Sequence, residues 1–176
     1  MGAPRKAWGW HQLDHTWAER LVGASGVGRG DLVLDVGAGL GALTRPLVAT
    51  GARVIAVERH PARVEALRRE LGDRVVVVRA DAADLRLPRR PFHVVANPPY
   101  GITTELLGRL LHRGSRLATA HLVLQRDAAR RWSAPGAPGA GRWQQQWSAT
   151  LGQVVPRRAF TPPPRVDSQV LRIALR

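Results

Sequence analysis

Apolar positions along this chain come in two rhythms, short unbroken runs and longer segments with helical spacing. Leu32–Val36 is a short apolar run that ends at a glycine cluster and reads as a buried strand. Arg53–Val57, Arg74–Val78 with four consecutive valines, Phe92–Ala96 and Leu117–Leu124 read the same way. Between them, Ala42–Ala49, Pro61–Leu71 and Ile102–Leu111 carry helical patterns, and Trp17–Ala24 reads as a short helix ahead of the first run. Pro61 suits a first helical position, where a missing N–H does no harm, and Pro46 must lie in the first turn of its helix. Past Leu124 the rhythm changes. Ser133–Gly141 reads as a mobile Pro/Gly/Ala loop. Gln153–Val155 and Gln169–Leu175 read as two strands with no helical crossover between them, hence an antiparallel hairpin at a sheet edge.

Strand and helix alternating at this spacing predict an α/β fold, a doubly wound and mostly parallel sheet with an antiparallel C-terminal edge hairpin. With 176 residues the chain is long enough for one domain, read as 16–176, preceded by a basic, tryptophan-containing arm over 1–15. No run reaches the ~18 apolar residues of a membrane span, and no apolar segment follows the basic N-terminus, so a cytoplasmic monomer is expected. The absence of cysteine excludes disulfides, thiol nucleophiles and zinc thiolates. The histidines show no ligand spacing, so no metal is expected.

Charge narrows the function. Lys plus Arg is 27 against 13 for Asp plus Glu, a formal net charge of +14. Codon bias accounts for Lys6 being the single lysine, but not for the shortage of acids. A field of this size draws polyanions, and arginine pairs with phosphates and stacks on bases. Candidate RNA contacts are Arg5 and Lys6 on the arm, the cluster Arg126, Arg130 and Arg131, and Arg157, Arg158 and Arg165. Trp132, Trp143 and Trp147 read as cover for a sheet edge, with stacking on RNA as the alternative.

Two motifs carry chemistry. Asp35-Val-Gly37-Ala-Gly39-Leu-Gly41 follows a strand and precedes a helix, and its glycines let a ligand approach the main chain. Glu58 ends the next strand, where a carboxylate accepts hydrogen bonds from ribose hydroxyls. This order of elements points to an adenosine-type cofactor, and the glycine spacing departs from the G-x-G-x-x-G of dinucleotide sites. Asp81, with Ala82 beside it, is placed to accept from an adenine amino group or to cap a helix. The second motif is Asn97-Pro98-Pro99-Tyr100 at the end of the fourth strand, a turn stiffened by two prolines. An adenine N6 amine is a poor nucleophile because its lone pair is delocalised into the ring. The Asn97 amide oxygen and the Pro98 carbonyl, accepting from its two N–H groups, would localise that pair, and Tyr100 offers a ring on which an extruded base stacks.

Together these residues resemble the ribosomal RNA adenine N6-methyltransferases, which include small-subunit adenine dimethyltransferases and the erythromycin-resistance methyltransferases of the large subunit. The resemblance runs from about Arg5 to Ile173 and includes Phe160-Thr-Pro-Pro-Pro-Arg-Val-Asp-Ser168, similar to the family's F-x-P-x-P-x-V-x-S pattern. It implies a Rossmann-like sheet and S-adenosylmethionine as cofactor. Gly37, Gly39, Glu58, Asp81, Ala82 and Asn97 would contact that cofactor, Asn97 would also face the target amine, and Phe160 would form a second wall against the base. Trp10-His11-Gln12-Leu13 stands where the family has Gln-Asn-Phe-Leu or Gln-His-Phe-Leu, so that His11 and Leu13 keep cofactor-touching positions while Trp10 and Gln12 depart. The pattern is most similar to short erythromycin-resistance enzymes lacking the helical C-terminal domain. It implies methylation of 23S rRNA, free or in an assembly intermediate, and macrolide-lincosamide-streptogramin resistance. The alternatives are a 16S rRNA dimethyltransferase of ribosome assembly, a methyltransferase for protein or a small molecule, and a non-catalytic RNA chaperone. A DNA adenine methyltransferase fits less well, since such enzymes often carry Asp at the Asn97 position.

Overall fold

The computed structural model of the chain describes residues 10–176. Arg5 and Lys6, expected to meet RNA, lie outside the described residues. In chain order the elements are β1 (Gln12–Leu13), α1 (His15–Ser25), β2 (Leu32–Val36), α2 (Thr44–Ala49), β3 (Arg53–Glu58), α3 (Pro61–Leu71), β4 (Val75–Arg79), β5 (Phe92–Ala96), α4 (Thr103–Leu110) and β6 (Leu117–Gln125). The remainder is α5 (Arg126–Ser133), α6 (Ala140–Trp143), β7 (Trp147–Val155), β8 (Phe160–Thr161) and β9 (Ser168–Leu175).

Seven strands form one sheet in the order β4-β3-β2-β5-β6-β9-β7. The first five are mutually parallel, and β9 runs antiparallel to both β6 and β7. All five residues of β2 are buried, as expected of a central parallel strand covered on both faces. Two apolar clusters lie on the two faces. One joins the sheet to the leucines of α4 and to Trp132, Trp143 and Trp147, and the other joins it to α1, α2 and α3. Helix α1 begins where the Asp14 carboxylate accepts from Trp17 N–H and stops at Gly26 in the left-handed region. Pro61 is at the start of α3, and Val64, Leu67 and Leu71 form its buried stripe. No helix among the described residues is long and apolar enough to cross a membrane.

Three expectations need correction. Gln12 and Leu13 do not belong to a separate arm: they pair with β8, and Asp14 N–H donates to the Ala159 carbonyl, so residues 10–14 are seated on the body. The stretch 133–141 is packed rather than loose, because Ala137 is buried and the Ala134 carbonyl accepts from both Ala137 N–H and the Gln144 side chain. The C-terminal strands do pair antiparallel, but β7 starts at Trp147, six residues ahead of the expected Gln153, and β9 lies inside the sheet between β6 and β7. The three tryptophans are core side chains, 5%, 4% and 1% exposed for Trp132, Trp143 and Trp147, which removes them as base-stacking platforms. The indole N–H groups of Trp143 and Trp147 donate to the carbonyls of Pro138 and Leu117.

Candidate active site

The carboxyl ends of β2, β3, β4 and β5 deliver the glycine loop, Glu58, Asp81 and Asn97 to one edge of the sheet, the edge at which such folds bind ligands. The loop is tied to its neighbour strand: Gly37 and Ala38 N–H both donate to the Val57 carbonyl, at 2.8 and 3.0 Å. Gly37 and Gly39 have φ of +78° and +58°. A Cβ on Gly37 would stand 2.9 Å from the Pro99 ring, and one on Gly39 would stand 2.4 Å from the Trp10 indole nitrogen. Neither position admits a side chain, by conformation or by space.

Beneath the loop, Asp35 is 1% exposed and accepts from the Thr44 hydroxyl at 2.6 Å, which ties the end of β2 to the start of α2. Burial, reinforced by the nearby Glu58 charge and opposed by the Thr44 hydrogen bond, pushes the Asp35 carboxyl up to about 7. Glu58 is also buried, and one oxygen accepts from Gly39 N–H and the other from His60 N–H, each at 2.8 Å. A carboxylate has about four acceptor positions, so two stay available for hydroxyl donors. Asp81 both caps the short turn that follows, accepting from Ala83 N–H, and pairs with Arg59 at 3.0 Å.

Gly37, Glu58 and Asp81 line a cavity of about 340 Å³, together with Trp10, Arg63, Ala82, Pro99 and Ile102; Gly39, His11 and Asn97 are not in its lining. The cradle fits an adenosine cofactor: backbone that excludes any Cβ, a buried carboxylate at ribose position, a second carboxylate beyond it, and apolar surface between. Leu13 is 2% exposed and belongs to the core beneath α1, so it does not reach this cavity. Trp10 does, and it was not among the expected contacts. Its ring lies against Gly39 and the Arg63 guanidinium sits 4.1 Å over its centroid. Nothing in local sequence links Trp10 to Arg63, although an unexpected aromatic next to the histidine expected to touch the cofactor was the available signal.

Pro99 lines the cavity and also belongs to the Asn97–Tyr100 turn, so the two motifs share a wall. The Asn97 amide N–H donates to the His11 carbonyl at 2.9 Å, and amide planarity then sends its oxygen the opposite way. His11 is held in turn, since its Nδ1 lies 2.7 Å from the Pro162 carbonyl, which requires the proton on Nδ1. Its ring stacks on Tyr100 with centroids 5.6 Å apart. One face of Tyr100 is thus covered, and its hydroxyl is hydrogen-bonded to Ser168 at 2.7 Å. His11 therefore belongs with the Asn97–Tyr100 turn and does not line the cavity. Pro98 is buried at the root of the turn.

Phe160 departs from its expected place. It is 3% exposed within the core cluster, and its strand β8 pairs with β1, which turns the ring inward instead of toward a base. Arg126, Arg157, Arg158 and Arg165 are exposed around this same edge, while Arg130 and Arg131 lie further along α5. Arg157 is engaged with its own loop, its Nε donating to the Pro164 carbonyl at 2.7 Å and its backbone N–H to Asp167.

Comparison with known proteins agrees with this geometry. The family described as Ribosomal RNA adenine dimethylase matches residues 11–176. The Ribosomal RNA small subunit methyltransferase A of Anaeromyxobacter sp. (strain K) is 37% identical over 191 residues, covering 95% of this chain and 66% of the relative. That of Phenylobacterium zucineum (strain HLK1) is 39% identical over 183 residues, covering 96% of this chain and 64% of the relative. The chain thus spans just under two-thirds of the length of these relatives. Among solved structures, the 23S rRNA methyltransferase ErmE superposes with a TM-score of 0.82 at 30% identity, covering 93% of this chain and 69% of that one. A dimethyladenosine transferase from Plasmodium falciparum shares the fold at a TM-score of 0.81 and 24% identity, over 94% and 64% of the two chains. A match running from His11 to Arg176 takes in both motifs and the whole sheet, and on it the chain belongs to the ribosomal RNA adenine dimethylase family.

Proposed function

We propose that this chain transfers a methyl group from S-adenosylmethionine to the exocyclic N6 amine of an adenine in ribosomal RNA, acting as a cytoplasmic monomer. The observation that carries the reading is the shared wall: Pro99 lines the adenosine-type cavity and sits in the turn whose Asn97 side chain is held by the His11 carbonyl. When bound, the cofactor supplies a methyl on a sulfonium, already activated for displacement. The chain's own residues then have to position and polarise. Glu58 and Asp81 accept from the ribose hydroxyls and the adenine amino group of the cofactor, beside the backbone of Gly37, Gly39 and Ala82. The Asn97 oxygen and the Pro98 carbonyl accept from the target amine, and the open face of Tyr100 stacks the extruded base. His11, stacked on Tyr100 and holding the Asn97 N–H, fixes the aim of both.

Within that reaction we carry forward 23S rRNA as the substrate, with resistance to macrolide, lincosamide and streptogramin antibiotics as its consequence. Support comes from the likeness to ErmE, a 23S rRNA methyltransferase. The names of the sequence relatives favour a second reading, methylation of small-subunit rRNA. The test is transfer of labelled methyl from S-adenosylmethionine to separated 16S and 23S rRNA, with the modified base mapped by mass spectrometry. Label in an adenine of 23S rRNA supports the first reading and label in 16S the second. Label in protein alone would overturn both.

A further inference from the structure

The exposed apolar residues of the edge strands β4 and β7 lack any sign of what covers them, and His93 is already bonded to Thr119 and near Asp31. The feature that goes furthest is a basic groove at the opposite edge of the sheet. It lies between the segment that leads into β5 and the turn that leads from α4 into β6. Arg86, Arg89, Arg109 and Arg116 line it with His112 and Ser115, and no carboxylate does. The Arg109 guanidinium approaches Asp84 at 3.7 Å; Arg86, Arg89 and Arg116 make no ion pair among the described residues. All three are exposed. A second cleft that shares His112 continues the surface past Arg113 and Arg142.

Arg86, Arg89 and Arg116 share one groove with no acid in its lining, while Arg109 is drawn to Asp84, and a polyanion placed there lowers the repulsion among the three. A single phosphate would need one or two of them. Three unpaired guanidiniums, open to solvent, match a run of backbone phosphates. We propose that this groove is a second docking surface for the rRNA backbone, separate from the arginines around the active site. The inference rests on the proposed rRNA substrate. The length of the intervening strand sets the footprint: the five residues of β5, at ~3.3 Å each, put about 17 Å between the groove and the Asn97 turn. RNA held at both edges must wrap the side of the domain, so the recognised element is larger than the single-stranded target and its nearest neighbours.

The experiment compares wild-type protein with two triple variants, Arg86→Gln/Arg89→Gln/Arg116→Gln and the same three positions changed to Lys. Binding to protein-free rRNA is measured as a function of salt, alongside cofactor affinity and methylation kinetics. Each lost phosphate contact removes about 0.7–0.9 from the slope of log affinity against log salt, so the Gln triple should flatten it by roughly 2.1 to 2.7. KM for RNA should rise while kcat and cofactor affinity hold, and the Lys triple should restore most of the slope. An unchanged slope in the Gln triple, with wild type binding normally, overturns the groove and leaves the proposed function standing. A Gln triple that binds naked rRNA normally but loses affinity for protein-containing ribosomal particles assigns the groove to an acidic protein and equally overturns it. Wild-type protein that neither binds nor methylates rRNA overturns the underlying reading and the groove with it.

Discussion

Buried Asp35 and half-buried His121 lie in the same sheet and respond to pH in opposite directions. Asp35 is held up to about 7 by burial, so it folds most favourably while protonated, and its contribution is lost as pH rises from about 4 to 7. His121 is held down to about 4, first by burial and then by the charges of Arg172 and His93; its neutral form is the folded one, and its contribution is lost as pH falls from about 6.5 to 4. Between those limits the two slopes oppose. Asp35→Asn should therefore leave stability rising with pH relative to wild type, by an amount on the order of 4 kcal/mol across the window, as read by chemical denaturation at several pH values. Parallel curves for the two proteins would mean that Asp35 is ionised throughout. Tyr100 makes a second test at this scale. Tyr100→Phe keeps the ring and loses the bond to Ser168, so it should retain methyl transfer while losing about 1 kcal/mol of stability. Tyr100→Ala should lose transfer. The sequence told much about Glu58, Asp81 and Asn97, because each ends or follows a strand that local pattern reveals. It told little about His11 on Tyr100 or Asn97 on His11, contacts that cross about half of the chain. Phe160 was misplaced for a related reason: a motif fixes where a residue sits along the chain, and the β1–β8 pairing decides which way it points.

Among the elements, α3 does more than cover the sheet. Its first turn presents Arg63 to Trp10, and that pair stands as a plate against the glycine loop. A cation–π contact of this kind is worth about 0.5–1 kcal/mol when partly exposed. Trp10→Ala and Arg63→Ala should each weaken S-adenosylmethionine binding, and the double variant should show a coupling of that size by calorimetry. Additive losses would mean that the two residues act separately. Gly39→Ala should be worse than either, because a methyl there meets the indole and the residue must also hold a φ of +58°. Helix α5 shows where local pattern fails. Its sequence Arg-Asp-Ala-Ala-Arg-Arg-Trp-Ser has too little apolar spacing to announce a helix, and what holds it is Ala129 and Trp132 buried against the core. Strand β7 was cut short in the same way, since its half-buried and exposed residues follow no alternation that would mark an apolar face.

At the scale of the molecule, charge and topology bear on how the proposed RNA substrate would be held and on how the sheet closes. The arginines of the 156–167 loop are not equivalent. Arg158→Ala should flatten the salt slope of RNA binding by about 0.7–0.9. Arg157→Ala should also lower stability by about 0.5–1.5 kcal/mol, because Arg157 braces its own loop through the Pro164 carbonyl. Equal melting temperatures for the two variants would remove that distinction. The sheet order has a consequence in time. Strand β7 precedes β9 along the chain but pairs only with β9 in the sheet. When β7 leaves the ribosome it has no edge to join; it must wait until the twenty residues from Pro156 to Leu175 have followed and β9 has zipped onto β6. The five parallel strands, with Glu58 and Asp81, can assemble before that moment, while Ser168, which anchors Tyr100, arrives with the late strand. The half of the site proposed to hold a cofactor is therefore built early in synthesis, and the half proposed to hold a base is completed last.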